Sequence, residues 1–522
     1  MENPVGPSDR RDKMKPRALL LLVHCLSQAA CSQSHIVVDL PEAGAEVTAT
    51  LGRAGGTLAV DGVELRVPPG ALAADTSIRM VVTSTTPPSF LEAFSPVVRF
   101  EPEGLTFAEP VELRLPFAGD AALATVFWSA REGSAFVART TRVEGHVAIA
   151  ESSHFSEAFV GTACTGDDCC DRANGVLDLV MMVDDSNSMS EEQASLEAQI
   201  PRLARALATG DIEGDGVQDF PALASVRVGV VTSDMGTGSF AVPTCDRGTF
   251  GADFGDDGVL LTRGRAELLG CAASYPAFAE IGADDIDPSD TTALDAFTQH
   301  VSCVATVGTG GCGFEQQLDA VLKATTPSIA PVTFTAGTRG HADAANAGFL
   351  RDDSMLAFLM LTDEDDCSVL DPELFDTTSS TYSADLNLRC FMYPGAVHPI
   401  ARHVGGLLAL RTNPADVIYA AITGVSPEAL AETEGYDALL AHPSMIEQLD
   451  PGAEPTSPRL APSCSVPGRG QAMPPRRIVG VARDLDAAGA GTVVASICEE
   501  DFTPVIDAIL ARVASRARGE CR

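Results

Sequence analysis

Residues 177–189, LDLVMMVDDSNSM, decide the fold of the larger part of this 522-residue chain. The run from 177 to 183 is nearly all apolar, as in a strand that is buried on both faces of a parallel sheet. Ser190 and Gln193 follow it in a capping-box pattern, which predicts the start of a helix. That helix carries one apolar stripe at helical spacing, formed by Leu196, Ile200, Leu203 and Leu207. The stretch therefore predicts a strand, a polar loop and a helix in succession.

Apolar runs of the same kind recur through residues 176–520 and alternate with helical patterns. They are Val226–Val231, Met355–Leu361, Val417–Ile422 and Val493–Ile497. This alternation is typical of a doubly wound, mostly parallel α/β sheet. Long insertions interrupt it at roughly 233–310, 367–400 and 425–490. We expect disulfides to restrain these insertions, and the loops at the metal-bearing edge of the sheet to set partner specificity.

Acidic and hydroxyl side chains follow two of the predicted strands. The first strand runs into Asp184, Ser186 and Ser188, and the third runs into Thr362 and Asp363. Loops at the carboxyl ends of strands in an open α/β sheet meet at one crevice, so these side chains are expected to come together. Two carboxylates and two hydroxyls are hard oxygen ligands, which suit Mg²⁺, Mn²⁺ or Ca²⁺.

This arrangement resembles the von Willebrand factor type A domain, and the resemblance covers most of residues 176–520. The metal-ion-dependent adhesion site of that family has the pattern D-x-S-x-S, which Asp184, Ser186 and Ser188 match. The later Asp of the family, after a strand ending in Leu-Thr, matches Asp363. The resemblance implies a metal ion whose coordination shell is completed by an acidic group of a partner.

The family also places a Thr ligand in a middle loop, which here reads VGTGGCGFEQQLDAVLKA (307–324). Alignment on the following helix puts Cys312 at the Thr position and Glu315 where a small residue is usual. Thr309, three residues before Cys312, is the predicted ligand; if neither serves, water fills the position. A disulfide staple of the loop through Cys303 and Cys312 is compatible with either outcome.

Residues 45–161 form a separate region in which short apolar runs alternate with Gly/Pro turns, a spacing that predicts a β-sandwich. GGTLAVDGVELRVPPGAL (55–72) and SPVVRFEPEGLTFAEPVELRLPF (95–117) resemble the ZU domain of zona occludens proteins, netrin receptors and ankyrins. The resemblance implies a β-rich interaction module without catalytic residues. A generic immunoglobulin-like sandwich is the alternative fold, by analogy only.

The first 30 residues have the order of a secretory signal, with a basic segment, a short apolar stretch at Ala18–Leu26 and small residues. Ala29-Ala30-Cys31 resembles the lipobox of bacterial lipoproteins, which implies a lipid anchor on Cys31 and a tether over 31–44. Plain cleavage and secretion is the alternative. The mature chain is expected at the outer membrane or cell surface through that anchor, and otherwise in the periplasm or medium, with no transmembrane helix.

Cysteine usage also favours export. The chain has 14 cysteines, and loss of Cys25 with the signal and lipidation of Cys31 would leave an even number for disulfides in an oxidising compartment. Adjacent Cys169 and Cys170, in a linker predicted over 162–175, are expected to have different partners. The pairing cannot be read from the sequence. The candidates are Cys164, Cys169, Cys170, Cys245, Cys271, Cys303, Cys312, Cys367, Cys390, Cys464, Cys498 and Cys521.

Three acidic segments outside the predicted site are candidates for cations or solvated surface. Asp211-x-Glu213-x-Asp215-Gly216-x-x-Asp219 resembles part of a calcium loop, but Ala222 stands where the bidentate Glu is required. A second Ca²⁺ there is the less favoured interpretation, and a surface turn is preferred. Residues 364–366 and 284–290 are interpreted in the same way, as solvated acids.

Charge and motifs limit the classes of function. The net charge of −37, from 72 acidic and 35 basic residues, argues against nucleic-acid binding, which needs a basic surface. No HExxH or GxSxG motif occurs, so an enzyme is not expected and a secreted hydrolase is disfavoured. The leading hypothesis is metal-dependent adhesion at the cell envelope to a protein or glycan that presents a carboxylate. The alternative is a structural envelope scaffold with a stabilising or vestigial metal site.

Overall fold

The computed structural model describes residues 38–522, except 89–90, 130–135, 165–168, 170, 239, 244, 246–247, 288, 455–456, 467–469 and 521–522. The predictions on the signal segment, on Cys31, Cys170 and Cys521, and on most of the tether therefore lie outside the described residues. Residues Val38–Arg522 belong to one compact unit. None of the helices in the described part of the chain has the length and apolar character that crossing a membrane requires.

The first region is a β-sandwich of two antiparallel sheets. Its strands within the described residues are β1 (Glu46–Leu51), β2 (Gly56–Val60), β3 (Val63–Val67), β4 (Thr76–Val82), β5 (Glu92–Ala93), β6 (Val98–Glu101), β7 (Thr106–Pro116), β8 (Thr125–Ser129), β9 (Phe136–Arg139), β10 (Arg142–Glu144), β11 (Val147–His154) and β12 (Glu157–Thr162). One sheet has the order β1-β4-β6-β12-β8-β9, with β5 beside β12, and the other has the order β10-β11-β7-β3-β2. The predicted β-rich fold of this region is confirmed.

Aromatic packing fills the space between the two sheets. Phe100 stacks on Trp128 with ring centroids 5.3 Å apart, and Phe155 contacts Phe100 at 5.4 Å. All three rings are completely buried. Alternating residues of each strand point into this core, which is the consequence of the two-residue side-chain period that the sequence displays.

The second region is a mixed sheet covered by helices. Its strands within the described residues are β13 (Val176–Val183), β14 (Ser225–Thr232), β15 (Phe278–Gly282), β16 (Met355–Leu361), β17 (Val417–Thr423), β18 (Cys464–Ser465), β19 (Gln471–Ala472) and β20 (Gly491–Ser496). The main sheet has the order β15-β14-β13-β16-β17-β20, in which only the edge strand β15 is antiparallel. All five predicted strands are present, whereas β15 lies inside an insertion and was not predicted.

Helices lie on both faces of this sheet. They are α1 (Ser190–Thr209), α2 (Gly251–Phe254), α3 (Thr292–Ala305), α4 (Gln317–Thr325), α5 (Arg389–Met392), α6 (Ile400–Leu408), α7 (Pro427–Glu432), α8 (Tyr436–Ala441), α9 (Arg476–Ala487) and α10 (Thr503–Arg518). Strand β13 shows why both faces need a cover, because Leu177, Leu179, Met181 and Val183 enter one core and Val180 and Met182 enter the other. The first core packs under α1, α3 and α10, and the second packs under α4, α6 and α9.

The two regions contact each other directly. Val137 of the sandwich forms an isolated parallel bridge with Ala222, which precedes β14. Asp284, in a segment predicted to be solvated, accepts hydrogen bonds from Arg139 at 3.0 Å and from the His154 ring at 3.0 Å. The solvated interpretation of Asp284 is therefore wrong, because its carboxylate is committed to the sandwich.

Five disulfides are described in the folded chain. They are Cys164–Cys169, Cys245–Cys312, Cys271–Cys303, Cys367–Cys390 and Cys464–Cys498. Cys303 and Cys312 are thus not joined to each other. Cys312 ties the middle loop to the 233–310 insertion, and Cys271–Cys303 is a disulfide within that insertion. Disulfides of this number indicate that the protein is exported to an oxidising compartment.

Candidate functional site

The first predicted ligand, Asp184, lies immediately after β13 and is completely buried. Its backbone N–H donates to the carbonyl of Leu361, the last residue of β16, at 3.0 Å. Its Oδ1 accepts from the Ser186 N–H at 2.9 Å and from the Ser233 hydroxyl at 3.0 Å. Its Oδ2 accepts from the Thr362 hydroxyl at 2.6 Å. Three adjacent strands therefore fix this carboxylate at the carboxyl edge of the sheet.

The four side chains predicted to meet do come together. The Ser186 and Ser188 hydroxyl oxygens are 3.1 Å apart, and the Ser188 hydroxyl donates to Asp363 Oδ1 at 3.2 Å. Together with the Ser186 N–H bond to Asp184, these contacts connect all four residues. Ser188 is exposed while Asp184 and Asp363 are buried, so the cluster opens to solvent on its hydroxyl side.

Gln193 joins this cluster to the middle loop. Helix α1 begins at Ser190 without a side-chain cap, so the predicted capping box is wrong. The Gln193 amide instead donates to the carbonyls of Asp184 at 2.7 Å and Gly308 at 2.8 Å, and it accepts from the Gly308 N–H. A side chain that the pattern assigned to the helix start therefore holds two site loops together.

The middle loop presents a residue that the sequence interpretation did not assign. Cys312 is bonded to Cys245 and has no free thiol. Thr309 is half-buried and is not among the described residues that line the cleft at the cluster. Glu315 is buried and does line that cleft, together with Ser186 and Ser188. In the sequence, Glu315 stood out only because it is an acid at a position where the family that this region resembles usually has a small residue.

Four carboxylates belong to this cluster, those of Asp184, Glu315, Asp363 and Glu364. No Arg, Lys or His of the described residues forms an ion pair with any of them. Burial raises the pKa of Asp363 to about 9, and the Asp184 and Glu364 carboxylates contribute to that rise. Burial, aided by Asp184, likewise raises the pKa of Glu364 to about 7. Burial also raises the pKa of both Asp184 and Glu315. Without a counter-charge from the protein, the ionised form of each of these carboxyls is therefore unfavourable.

The remaining acids of the loop after β16, Asp365 and Asp366, accept hydrogen bonds from the starts of two helices. Asp365 accepts from the N–H groups of Arg477 and Ile478 in the first turn of α9, at 2.9 Å and 3.2 Å. Asp366 accepts from the Leu318 N–H in the first turn of α4 at 2.9 Å. The interpretation of these residues as solvated acids is wrong, because each carboxylate accepts from backbone N–H groups at the start of a helix.

A cleft of about 360 Å³ opens beside the cluster. Its walls combine Glu315 and Glu364 with Arg477 and with apolar side chains from the middle loop and the insertions. The apolar members are Phe314, Leu386, Phe391, Leu460 and Met473. The insertions therefore shape the surface next to the predicted metal ligands, as expected for loops that set specificity.

The candidate calcium loop at 211–219 folds as a turn held by carboxylates. Asp211 accepts from the N–H groups of Gly214 at 2.6 Å and Gly216 at 2.8 Å, and Asp219 accepts from the Ile212 N–H at 2.7 Å. This is the geometry of the preferred surface turn. A cation at this loop stays a prediction.

The donor set fits a hard divalent cation. Asp184 and Asp363 supply two carboxylates, and Ser186 and Ser188 supply two hydroxyls within hydrogen-bond distance of one another. Across the described residues, no three His, Cys, Asp or Glu side chains form a group of the kind that holds a metal. The predicted set depends equally on hydroxyl oxygens, which such a group does not include.

Comparison with known families finds a similarity in the first region. Residues 47–131 match the family model of the ZU5 domain, which spans β1 to β8 of the sandwich and leaves the α/β region unmatched. No curated protein matches the chain.

Proposed function

We propose that the protein is an exported cell-envelope adhesion protein that binds a partner through one divalent cation. Asp184, Ser186, Ser188 and Asp363 hold the cation in this proposal, and residues 176–520 are a von Willebrand factor type A domain. The observation that carries the proposal is the set of buried carboxylates without protein counter-charges, joined to two hydroxyls at an open sheet edge. Such a set is costly to fold unless a cation neutralises it.

The surrounding residues would orient the ligands. When bound, Mg²⁺, Mn²⁺ or Ca²⁺ would supply positive charge and leave a coordination position for a carboxylate of a protein or glycan partner. The bonds from Ser233 and Thr362 set the direction of the Asp184 carboxylate. The exposed Ser188 hydroxyl marks the side from which the partner would approach.

Glu315 is the middle-loop residue that supports this role best. It already lines the cleft with the two serines, whereas Thr309 would reach the cluster only if the loop moved. Glu315 would add negative charge, which favours cation binding over a neutral Thr hydroxyl. We propose Glu315 as the middle-loop contributor and retain Thr309 as the weaker candidate.

The location of the protein follows in part from its covalent structure. The disulfides indicate export, and the lipidation of Cys31 at an outer-membrane or cell-surface position is the finer proposal. A lipid anchor, the ZU5 region and the cleft would then place a non-enzymatic binding surface outside the cytoplasm.

Titration of Mg²⁺, Mn²⁺ and Ca²⁺ into metal-stripped protein tests the site. We expect saturable binding that is lost in D184A/D363A and kept in D437A, a control at an exposed acid. Immobilised polyglutamate should then retain the wild type in Mg²⁺ and release it in EDTA. If the folded double variant binds Mg²⁺ as wild type does, the proposed metal site is excluded.

A structural scaffold remains the second candidate function, because Gln193 and Asp363 connect loops of different strands. A cation that only stabilises these loops would raise the melting temperature without any effect on polyglutamate capture. That result would favour the scaffold over adhesion.

A further inference from the structure

The only lysine in the part of the chain that the structure describes is completely buried. This residue, Lys323 in helix α4, is one of three lysines among 35 basic residues, and the other two precede residue 16. Arginine is the cation beside buried acids elsewhere, as where Arg351 binds Asp178. An arginine stays protonated, whereas a lysine can act as an amine nucleophile. Position 323 therefore offers a chemistry that the buried arginines do not.

The Lys323 amine contacts an acid that also contacts a histidine. Its Nζ forms an ion pair with Asp257 Oδ1 and donates a hydrogen bond to the Thr338 hydroxyl at 2.8 Å. That hydroxyl donates in turn to the Thr335 carbonyl at 2.8 Å, which leaves its oxygen to accept from the amine. The second oxygen of the acid, Asp257 Oδ2, lies 2.9 Å from His341 Nε2. An amine, a carboxyl and an imidazole thus form a continuous chain of contacts.

Packing and backbone contacts hold these groups against one another. The Phe334 ring lies over the amine, with its centroid 5.5 Å from Nζ. The His341 N–H donates to the Lys323 carbonyl at 2.9 Å. A Cβ on Gly258 would lie 3.3 Å from Lys323 Cβ, so the chain next to Asp257 lies directly against α4. The amine and the carboxyl therefore have little freedom to separate, which is the arrangement that favours a reaction between them.

We propose that Lys323 and Asp257 condense to form an intramolecular isopeptide bond. One ammonium proton passes to the carboxylate, and the Nζ lone pair then forms a bond to Asp257 Cγ. The Cγ–Oδ2 bond breaks, and Oδ2 leaves as water with that proton and a second proton from the nitrogen. No oxidant, cofactor or activated acyl group is needed. The product replaces two buried charges with a neutral amide, so the burial that penalises the ion pair favours the bond.

His341 is the catalytic residue of this reaction. Its Nε2 lies within general-acid distance of Asp257 Oδ2, so it donates the proton that converts this oxygen into a leaving water. The imidazole is restored when the attacking nitrogen releases its proton. The fixed contact supplies the remaining rate, since well-oriented groups reach effective molarities of about 10⁵–10⁸ M.

The bond adds a second covalent tie between two segments that are already joined. Cys245–Cys312 links the insertion that contains Asp257 to the loop before α4. The amide differs from this disulfide because thiols do not open it. The bond itself needs neither the cation nor the partner of the proposed function.

Trypsin digestion of the reduced and alkylated wild-type protein, followed by mass spectrometry, tests the bond. Trypsin cleaves after a lysine with a free amine but not after one that is acylated. We expect residues 248–263 to be joined to residues 266–339, uncut at Lys323, with a mass one water below the sum of the two peptides. D257A cannot form the bond and should be cleaved after Lys323. A separate 248–263 peptide of full mass from the wild type, with cleavage after Lys323, would overturn the proposal.

The same digest distinguishes the isopeptide bond from the other reaction that removes one water at this position. Asp257 precedes Gly258, and an Asp-Gly pair can close to a succinimide. That product would be a 248–263 peptide that is one water lighter but is not joined to another peptide, with cleavage after Lys323. This outcome would also overturn the proposal.

The variant H341A tests the catalytic role of His341. The fraction of joined peptide soon after expression should be lower in H341A than in wild type. H300A is the control, because His300 contacts the Pro276 carbonyl and not the reacting groups. Equal fractions in H341A and wild type would overturn the role of His341. If H341A does not fold, the wild-type digest still decides whether the bond exists.

Discussion

Strand β13 has one buried acid near its start and a second just past its end, and these two acids differ in whether an arginine binds them. Asp178, near the start, is completely buried and accepts from Arg351 at 2.6 Å and 2.9 Å and from the Ser354 hydroxyl at 2.6 Å. A second guanidinium, from Arg411, lies 3.9 Å away. Asp184, just past the end, is equally buried but has hydroxyl and N–H partners and no cation.

This difference separates structural acids from ligand-binding acids. Where the protein supplies counter-charges, as at Asp178, the carboxylate is complete without anything else and its role is stability. Where it supplies only orienting hydrogen bonds, as at Asp184, the carboxylate remains available to the external cation that we propose. Burial alone therefore does not distinguish the two acids; the lack of a protein counter-charge at Asp184 is what supports the proposed metal site.

The largest expected effect on stability is at Asp178, the acid that is bound by arginines. D178N leaves the buried Arg411 and the half-buried Arg351 beside a neutral amide, so it should lower the free energy of unfolding by about 3–5 kcal/mol in urea titrations. The loss should be equal in EDTA and in Mg²⁺. D437N, at an acid that is 89% exposed, is the control, with an expected change below about 0.5 kcal/mol. A loss at D178N as small as the control would break the comparison.

The next largest effect concerns the Cys245–Cys312 disulfide, which restrains the middle loop beside the Asp184 cluster. Cys245–Cys312 closes 67 residues and anchors the loop that carries Glu315, so C245S/C312S should lower the free energy of unfolding by roughly 2–4 kcal/mol. It should also weaken Mg²⁺ binding, measured by titration. C271S/C303S removes a disulfide that does not border the cleft. If both double variants weaken Mg²⁺ binding equally, the loop restraint is not specific to the site.

At Asp363, which has no arginine partner, substitution should not lower the free energy of unfolding of the metal-free protein. D363N puts a neutral amide in place of a carboxyl whose ionised form is disfavoured by burial, so the metal-free variant should be as stable as wild type or more stable. Mg²⁺ at 100 times its Kd should raise the free energy of unfolding of wild type by about 2.7 kcal/mol and leave D363N unchanged. Thermal unfolding in EDTA and in Mg²⁺ measures both. A large loss of stability for D363N in EDTA would mean that Asp363 is structural, like Asp178.

The smallest effect is at Asp284, a partly exposed acid with protein partners. Burial opposes its ionisation, but hydrogen bonds from His154 and the charge of Arg139 lower its pKa. Its ionised form therefore stabilises the fold above the unfolded pKa of about 3.9, and this contribution is lost as the pH falls below that value. D284N should cost under about 1 kcal/mol at pH 7, because solvent screens the pair, and the difference from wild type should vanish toward pH 2. A difference that persists at pH 2 would contradict this.

The spacing of apolar residues was sufficient to predict the main strands of the sheet. The all-apolar run over 177–183 can only be buried on both faces, which fixed β13 in the interior of the sheet and placed Asp184 at its edge. The convergence of Asp184 with Asp363 followed from the rule on strand ends. Strand β15 was missed because it is a short edge strand within an insertion, where a two-sided apolar run is not required.

Partners distant in sequence explain what could not be predicted. Gln193 stands at the position of a capping residue in the sequence. Its side-chain amide instead donates to the carbonyl of Gly308, which is distant in the chain. Asp365 and Asp366 look like surface acids until α9 and α4 bring their N–H groups to them. Glu315 and the disulfide partner of Cys312 likewise depend on how the insertions fold back, which no local pattern encodes.

The helix caps of Asp365 and Asp366 have a mechanical consequence. A partner that pulls on the site would transmit force through Asp363 into the loop after β16. Because that loop is fastened to the starts of α4 and α9, the tension would be shared by two helices and a central strand rather than peeling a single edge. If the proposed adhesive function is correct, load on the site would therefore be distributed over the sheet and both helices instead of one strand.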